Sequence, residues 1–297
     1  MRSVTRVFVT GAEGLLGREV VAVATRRGYT VEAAGRGDLD ATDADAVRAC
    51  LVGRGRGEGP ELVVHCAAYT AVDRAEEEPE LAARVNRDGT AHVARAAAEA
   101  GARLIYPSTD YVFDGERATP YPPDTPPAPR SVYGRSKLEG ERVALASAPE
   151  ALVVRTSWLY GAGGRNFVTA MLERGRARAR EAGAEELRVV DDQRGRPTWA
   201  RNTAEGMLDL FERRARGVWH VADGGEATWL DLAREAFRLC GVDAPIGPVS
   251  TAEWGAPAPR PAYSVLDVAG TEALLGRKRM NWREALRRFL TETGELT

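Results

Sequence analysis

The sequence is poor in cysteine and contains no long apolar run. Its three cysteines are widely spaced and form no CxxC pair, so neither a disulfide framework nor a metal site is predicted. No stretch of about 18 apolar residues occurs, and the chain starts without a long apolar leader. Export and membrane insertion are therefore not expected, and the cysteines are predicted to be reduced thiols in a cytoplasm.

An excess of either charge is also missing. The 41 basic and 43 acidic side chains give a net charge of -2, and no segment is dense enough in one sign to follow a phosphate backbone. Nucleic acid is therefore not an expected partner. The 297 residues, of which 44% are hydrophobic, suffice for one large domain or two small ones.

Lysine is the scarcest basic residue, because arginine supplies all but two of the basic side chains, Lys137 and Lys278. Lys137 follows Tyr133 by four residues in a segment that is predicted to be a helix capped by Ser131. Residues four apart share a helix face, so the phenol and the ammonium are expected to point into one cleft.

A glycine turn near the start of the chain predicts a nucleotide site. Residues 5–10 are predicted to be a buried strand, and the GxxGxxG segment 11–17 then opens a helix that runs to about Arg27. In such a turn Gly11 permits the tight bend, Gly14 lets a pyrophosphate approach the backbone, and Gly17 lets the helix pack closely on the strand.

The end of the second predicted strand, Thr30 to Ala34, indicates which dinucleotide the site binds. An acid there would bind a ribose 2′-hydroxyl, whereas Arg36 suits a 2′-phosphate, which favours NADP(H) and leaves NAD(H) as the alternative. Arg36 could equally be a solvated surface arginine. Asp43 is either an acceptor for the adenine amino group or the N-cap of the next helix.

Further strands are predicted at 62–66, 103–106 and 152–157, with a helix at 79–100. Small residues, Ala67 to Thr70, follow the third strand, and Thr109 follows the fourth, at the sheet edge where open α/β folds bind ligands. The strand–helix alternation predicts an α/β fold, a Rossmann-like, doubly wound parallel sheet with right-handed crossovers.

The alternation loosens after Gly161, so a smaller C-terminal substrate-binding region is expected. The predicted domains are 1–165 for NADP(H), with a returning segment near 201–222, and 166–297 mainly for the substrate. The proline-rich segment 119–130 excludes helix and is expected to wall a pocket, and 53–59 is predicted to be a solvated connector. Core or interdomain packing is the predicted role of four tryptophans, with a platform for a sugar as the alternative: Trp219, Trp229, Trp254 and Trp282.

With these features in this order, the chain resembles the extended short-chain dehydrogenases/reductases. More narrowly, the chain resembles the dTDP-4-dehydrorhamnose reductase (dTDP-L-rhamnose synthase) family over nearly its full length. The stretches that carry this resemblance are AAYTAVDRAE at 67–76, STDYVFDG at 108–115, VYGRSKLEGE at 132–141, RTSW at 155–158 and DQRGRPT at 192–198.

The resemblance implies a nicotinamide cofactor and a nucleotide-sugar substrate. With Arg36 added from the strand-end argument, the predicted cofactor contacts are Gly11, Ala12, Glu13, Gly14, Leu15, Leu16, Gly17, Arg36, Asp40, Ala41, Ala67, Ala68, Tyr69 and Lys137. The predicted substrate contacts are Thr109, Asp110, Tyr133 and Trp158.

Reduction of a ketone needs a hydride on one face and a proton for the developing alkoxide. Tyr133 is predicted to supply the proton, Lys137 to lower the pKa of that phenol, and Thr109 to orient the substrate oxygen. The alternatives are a reductase of another deoxysugar nucleotide, of dihydrostreptose type, and a non-catalytic NADP(H)-binding regulatory subunit of methionine adenosyltransferase type. A homodimer is left open.

Overall fold

The computed structural model describes residues 5–53, 59–181 and 183–296. Residues 54–58 of the predicted connector lie outside the described residues. Within the described ranges, no helix combines the length and the apolar character needed to cross a bilayer.

A six-stranded parallel sheet forms the centre of the molecule. Numbered along the chain, its strands stand in the order 2-1-3-4-5-6, so the order reverses between the first and the third strand. That reversal is the topological switch point at which doubly wound sheets bind nucleotides. The six strands are Arg6–Thr10, Thr30–Ala34, Leu62–His65, Arg103–Thr109, Leu152–Thr156 and Gly217–His220.

Helices cover both faces of the sheet because its strands are apolar on both sides. Val7 and Val9 belong to a core that contains residues of helices Leu15–Arg26 and Ala200–Glu212. Phe8, between them, faces the opposite core, whose helices are Ala44–Val52, Thr90–Glu99 and Val132–Ser147. The predicted doubly wound parallel sheet is thus confirmed.

A third core lies in the C-terminal part of the chain. Its helices are Phe167–Ala179, Trp229–Leu239 and Trp282–Glu292. Beside them, strand Leu187–Val190 pairs in parallel with Ile246–Val249. The remaining elements are short: Val72–Ala75, Asp110–Val112, Leu159–Tyr160, Arg194–Gly195, Thr198–Trp199, Ala227–Thr228, Thr251–Trp254 and Ala269–Leu275.

Two elements differ from the sequence prediction in ways that matter for the site. The fourth strand continues to Thr109, three residues further than predicted, because its end still pairs with Val154 to Thr156 of the next strand. The helix predicted over 79–100 consists of helix Pro79–Ala83, a π-helical turn Arg84–Gly89 and helix Thr90–Glu99. Such π turns occur often at functional sites.

Candidate active site

Tyr133 lies in the first turn of helix Val132–Ser147. The Ser131 hydroxyl accepts a 3.0 Å hydrogen bond from the Gly134 backbone N–H, which confirms the predicted cap. A Cβ on Gly134 would lie 2.2 Å from the Tyr111 carbonyl oxygen, so only glycine lets the helix start this close to that loop. The rings of Tyr111 and Tyr133 meet edge to face with centroids 5.5 Å apart.

Lys137 is buried one turn further along the helix, with 4% of its surface exposed. Its Nζ donates a 2.8 Å hydrogen bond to the Pro107 carbonyl and stands 4.0 Å from the centre of the Tyr106 ring. Burial lowers the pKa of Lys137 to about 7, although the carboxylate of Glu141 opposes the shift. The ammonium is therefore held at the end of the fourth strand.

The pKa of Tyr133 is raised, whereas the sequence predicts that Lys137 lowers it. Burial raises it to about 12, and the contact with Thr109 opposes that rise. The groups that shift this pKa are Thr109 and Asp110 besides burial, while the Lys137 ammonium donates to the Pro107 carbonyl. The structure thus brings the three predicted catalytic residues to one edge of the sheet.

Thr109 and Asp110 form a small polar group beside Tyr133. The Thr109 hydroxyl donates to the Asp110 carboxylate over 3.1 Å and accepts from the Tyr111 N–H over 3.2 Å. Burial raises the pKa of Asp110 to about 6, and the hydrogen bond from Thr109 opposes the rise. Asp110 is 2% exposed and accepts a hydrogen bond from Thr109, so its buried carboxylate is placed to orient the Thr109 hydroxyl.

The glycine turn has the geometry that a dinucleotide needs. Gly11 has a φ of +61°, and a Cβ there would lie 2.5 Å from the Ala67 nitrogen. A Cβ on Gly17 would lie 2.2 Å from the Gly11 carbonyl oxygen, so the helix packs as closely as predicted. Gly14, the N-cap, offers no side chain to the first N–H groups of the helix. Those donors fit a pyrophosphate, which matches a nicotinamide dinucleotide.

Two further predicted cofactor residues, Arg36 and Asp40, follow the end of the second strand. Arg36 is exposed there, and the side chain of Glu13 packs against Gly35. Two hydrogen bonds from Thr42 lower the pKa of Asp40, with smaller contributions from Arg36 and Arg84. The carboxylate of Asp43 accepts from the N–H groups of Asp45 and Ala46, which confirms its alternative assignment as an N-cap.

Asn86 is a site residue that the sequence reasoning missed. Its side chain accepts from the Tyr69 N–H over 2.8 Å and donates to the Tyr69 carbonyl over 3.0 Å and to the Ser136 hydroxyl over 2.9 Å. It thereby joins the predicted cofactor segment to the helix of Tyr133 and Lys137. No local pattern marks it, since only the π-helical turn around it turns the amide inwards.

A buried ion pair between Glu141 and Arg155 was missed as well. Its two hydrogen bonds measure 2.8 and 2.7 Å, and the Ser108 hydroxyl donates to the same carboxylate over 2.5 Å. Arg155 also donates to the Pro123 carbonyl over 3.1 Å, which fixes the proline-rich loop. Glu141 follows Tyr133 and Lys137 at the same four-residue spacing, a sequence signal that could have found it.

A cavity of about 380 Å³ opens on the C-terminal side of the site. It is lined by four arginines and three aromatic side chains, among other residues, and these seven are Arg165, Arg174, Arg188, Arg260, Phe167, Trp229 and Trp254. Trp254 is 52% exposed, so the prediction that it packs inside the protein is wrong. Trp282 is fully buried, as predicted.

Trp158, a predicted substrate contact, borders this region. Its φ is +48°, a strained value for a residue other than glycine. Its ring stacks on that of Trp229 with centroids 3.6 Å apart and planes within 3°. A Cβ on Gly195 would lie 2.4 Å from the Trp158 ring, so the absence of a side chain at 195 makes room for the stack.

Comparison with known proteins places the chain in a family. The model of the RmlD substrate binding domain matches residues 5–294. A dTDP-4-dehydrorhamnose reductase of Streptomyces griseus is 45% identical over 95% of this chain and 91% of its own length. A dTDP-4-keto-6-deoxy-D-glucose reductase of Streptomyces niveus is 40% identical over 94% of this chain and 91% of its own.

The solved structures agree with the sequence comparison. A dTDP-4-dehydrorhamnose reductase of Bacillus anthracis, determined in complex with NADP, superposes with a TM-score of 0.91 at 37% identity. The match covers 98% of this chain and 100% of the other. The resemblance found in the sequence is thus confirmed over nearly the full length, and the chain belongs to the RmlD substrate binding domain family.

Proposed function

We propose that the protein is an NADPH-dependent reductase that converts the C4 ketone of dTDP-4-dehydro-L-rhamnose into the alcohol of dTDP-L-rhamnose. The observation that carries this proposal is the convergence of Tyr133, Thr109 and Lys137 at the carboxyl edge of the sheet, close to the glycine turn. The names of the S. griseus and B. anthracis relatives support the same substrate and cofactor.

The protein's own groups divide the chemistry between them. NADPH, when bound, supplies a hydride to the carbonyl carbon, and Gly11 to Gly17 with Arg36 would hold it. Thr109 orients the ketone oxygen by a hydrogen bond, and the Tyr133 hydroxyl gives that oxygen its proton, which leaves a tyrosinate and an alcohol. Lys137 is placed to stabilise the tyrosinate, and its flexible side chain can leave Pro107 to do so.

The nucleotide part of the substrate fits the arginine-lined cavity. A diphosphate carries at least two negative charges, and Arg260 lies where it can meet them. The pKa of Arg260 is raised, and although burial opposes the shift, Asp73 and Tyr111 contribute to it. Since the Tyr111 ring touches that of Tyr133, Arg260 connects the cavity with the proposed proton donor.

The cores on the sheet and the separate C-terminal core suggest which part of the chain binds the cofactor and which binds the substrate. We propose that residues 1–165, with 201–222 returning to them, hold the cofactor, because helix Ala200–Glu212 packs on the sheet. Residues 166–297 would mainly hold the substrate, supported by the separate core of helices 167–179, 229–239 and 282–292. A cytoplasmic location and a homodimer stay predictions.

The test is the loss of absorbance of reduced nicotinamide when purified protein meets defined sugar nucleotides. We expect steady NADPH oxidation with dTDP-4-dehydro-6-deoxy-L-mannose and much less with the unepimerised 4-keto-6-deoxyglucose nucleotide. The inverted C3 and C5 substituents of the latter would tilt the ketone out of line with Tyr133.

A second candidate is favoured by the S. niveus relative, whose name gives the 4-keto-6-deoxyglucose nucleotide as substrate. Oxidation with only that compound, or with another deoxysugar nucleotide such as a dihydrostreptose precursor, would move the assignment to it. Tight NADPH binding without oxidation by any keto-sugar would instead favour a regulatory subunit of methionine adenosyltransferase type.

A further inference from the structure

Trp254 lies at the surface of the C-terminal part of the chain. It is a large hydrophobic side chain that is 52% exposed, and it stands among the residues that line the 380 Å³ cavity. It ends the short helix Thr251–Trp254, after which Gly255 turns the chain in the left-handed conformation with a φ of +64°. An exposed indole at the rim of a cavity is available for stacking on a flat ligand.

Two residues of segment 192–198, one of the stretches that carry the family resemblance, bind the first residue of the short helix. The Asp192 carboxylate accepts from the Thr251 N–H over 2.9 Å and from its hydroxyl over 2.5 Å. Gln193 donates to the same hydroxyl over 2.9 Å and accepts from the Trp229 indole N–H over 3.0 Å. Trp254 is thus held in a fixed relation to Trp229 across the cavity.

The charged side chains that line the cavity indicate which kind of ligand would lie against Trp254. Its lining contains Arg165, Arg174, Arg188 and Arg260, and within the described ranges no acidic side chain takes part in it. Arg188 already donates to the Pro248 carbonyl, and Arg260 to Asp73. In the part of the chain that the structure describes, Arg165 and Arg174 have no acidic partner, which leaves cations for a diphosphate.

We propose that Trp254 is the stacking platform for the pyrimidine base of the nucleotide sugar, and that Asp192 is the residue that positions it. This inference rests on the proposed function, since the sugar must reach Tyr133 while the diphosphate meets the arginines. The base then lies on the far side of the diphosphate, towards the rim. Stacking of a base on an aromatic ring contributes roughly five- to a hundredfold in affinity.

The experiment is a titration of dTDP and of inorganic pyrophosphate into the full chain, followed by calorimetry and by tryptophan fluorescence. In the wild type, dTDP should bind more tightly than pyrophosphate and quench the emission. Trp254→Ala should weaken dTDP about tenfold or more and leave pyrophosphate nearly unchanged. Trp254→Phe should restore most of the affinity, and Asp192→Asn should weaken dTDP in the same direction.

Two controls separate stacking from damage to the fold. Trp219→Phe alters a tryptophan on the edge strand Gly217–His220, outside the cavity lining, and should leave both the dTDP affinity and most of the quenching intact. The Kd of NADPH should stay unchanged in every variant. With the keto-sugar nucleotide, Trp254→Ala should raise KM and largely preserve kcat.

Equal affinity of wild type and Trp254→Ala for dTDP would overturn the platform, and so would equal losses for dTDP and pyrophosphate. Either result is compatible with a working reductase. Absence of turnover with every keto-sugar in the wild type, alongside normal stacking of dTDP, would overturn the proposed function and leave the platform standing.

Discussion

The carboxylate of Asp73 accepts two hydrogen bonds of 2.9 Å from the guanidinium of Arg260, which lies 187 positions further along the chain. It also accepts from the Ala258 N–H over 3.2 Å. These contacts tie the segment that follows the third strand to the loop that lines the cavity. The pKa of Asp73 is lowered, above all by its hydrogen bonds with Arg260.

Asp73→Asn should therefore raise KM for the nucleotide sugar several-fold and leave the Kd of NADPH unchanged, because the guanidinium loses its charged partner and its fixed orientation. Steady-state kinetics and an NADPH titration measure the two effects. A matched control is Glu99→Gln. It removes the negative charge from an exposed, bidentate ion pair with Arg48, far from the cavity. A KM that changes equally in both variants would show a general charge effect.

Tyr133→Phe should abolish turnover while NADPH binding survives, since the phenol acts on the substrate and the glycine turn stays intact. Loss of general acid catalysis costs about 10²- to 10⁴-fold in rate. Lys137→Met should damage both turnover and cofactor binding. Single-turnover NADPH oxidation is the measurement, and more than about a tenth of the wild-type rate in Tyr133→Phe would rule out this proton donor.

Arg36→Ala should weaken NADPH far more than NADH, because only NADPH carries the 2′-phosphate that the exposed guanidinium is proposed to meet. A charge-assisted contact of this kind contributes about 1.5–3 kcal/mol, or roughly ten- to a hundredfold in affinity. Titrations of both cofactors give the ratio. Arg84→Ala is the companion variant, since Arg84 also stands near Asp40. Equal losses for both cofactors would assign Arg36 to another contact.

Stability should depend on pH through Lys137. Its pKa is about 7 in the folded protein, against 10.5 as the ordinary value. Between these values the unfolded chain binds more protons than the folded one, so this residue makes the protein more stable as the pH rises from about 7 to 10.5. Below pH 7 the full cost of burying the ammonium remains.

Denaturant unfolding of wild type and Lys137→Met across that range checks the sign. The free energy of unfolding of the wild type should rise relative to that of the variant as the pH increases, since methionine does not titrate. The same difference at every pH would mean that Lys137 keeps its ordinary pKa in the folded state.

Much of the fold was predictable from local sequence. The second strand has the predicted bounds, and Ser131 and Asp43 cap the helices as their positions suggested. These features depend on neighbours in the chain: alternation of apolar residues, a capping side chain, a glycine where a turn needs one. The end of the fourth strand was less predictable, because pairing with Leu152–Thr156 extends it to Thr109.

The sequence by itself determined the glycine turn, the strand–helix alternation and the helix that puts Tyr133 and Lys137 on one face, since each follows from spacing along a few residues. Only the tertiary structure decided that Lys137 binds the Pro107 carbonyl, that Asn86 joins Tyr69 to Ser136, and that Trp254 stands at a cavity rim. Such contacts join residues tens of positions apart. Their partners, and the burial that shifts the pKa values of Lys137 and Tyr133, exist only once the sheet and the C-terminal core have packed together.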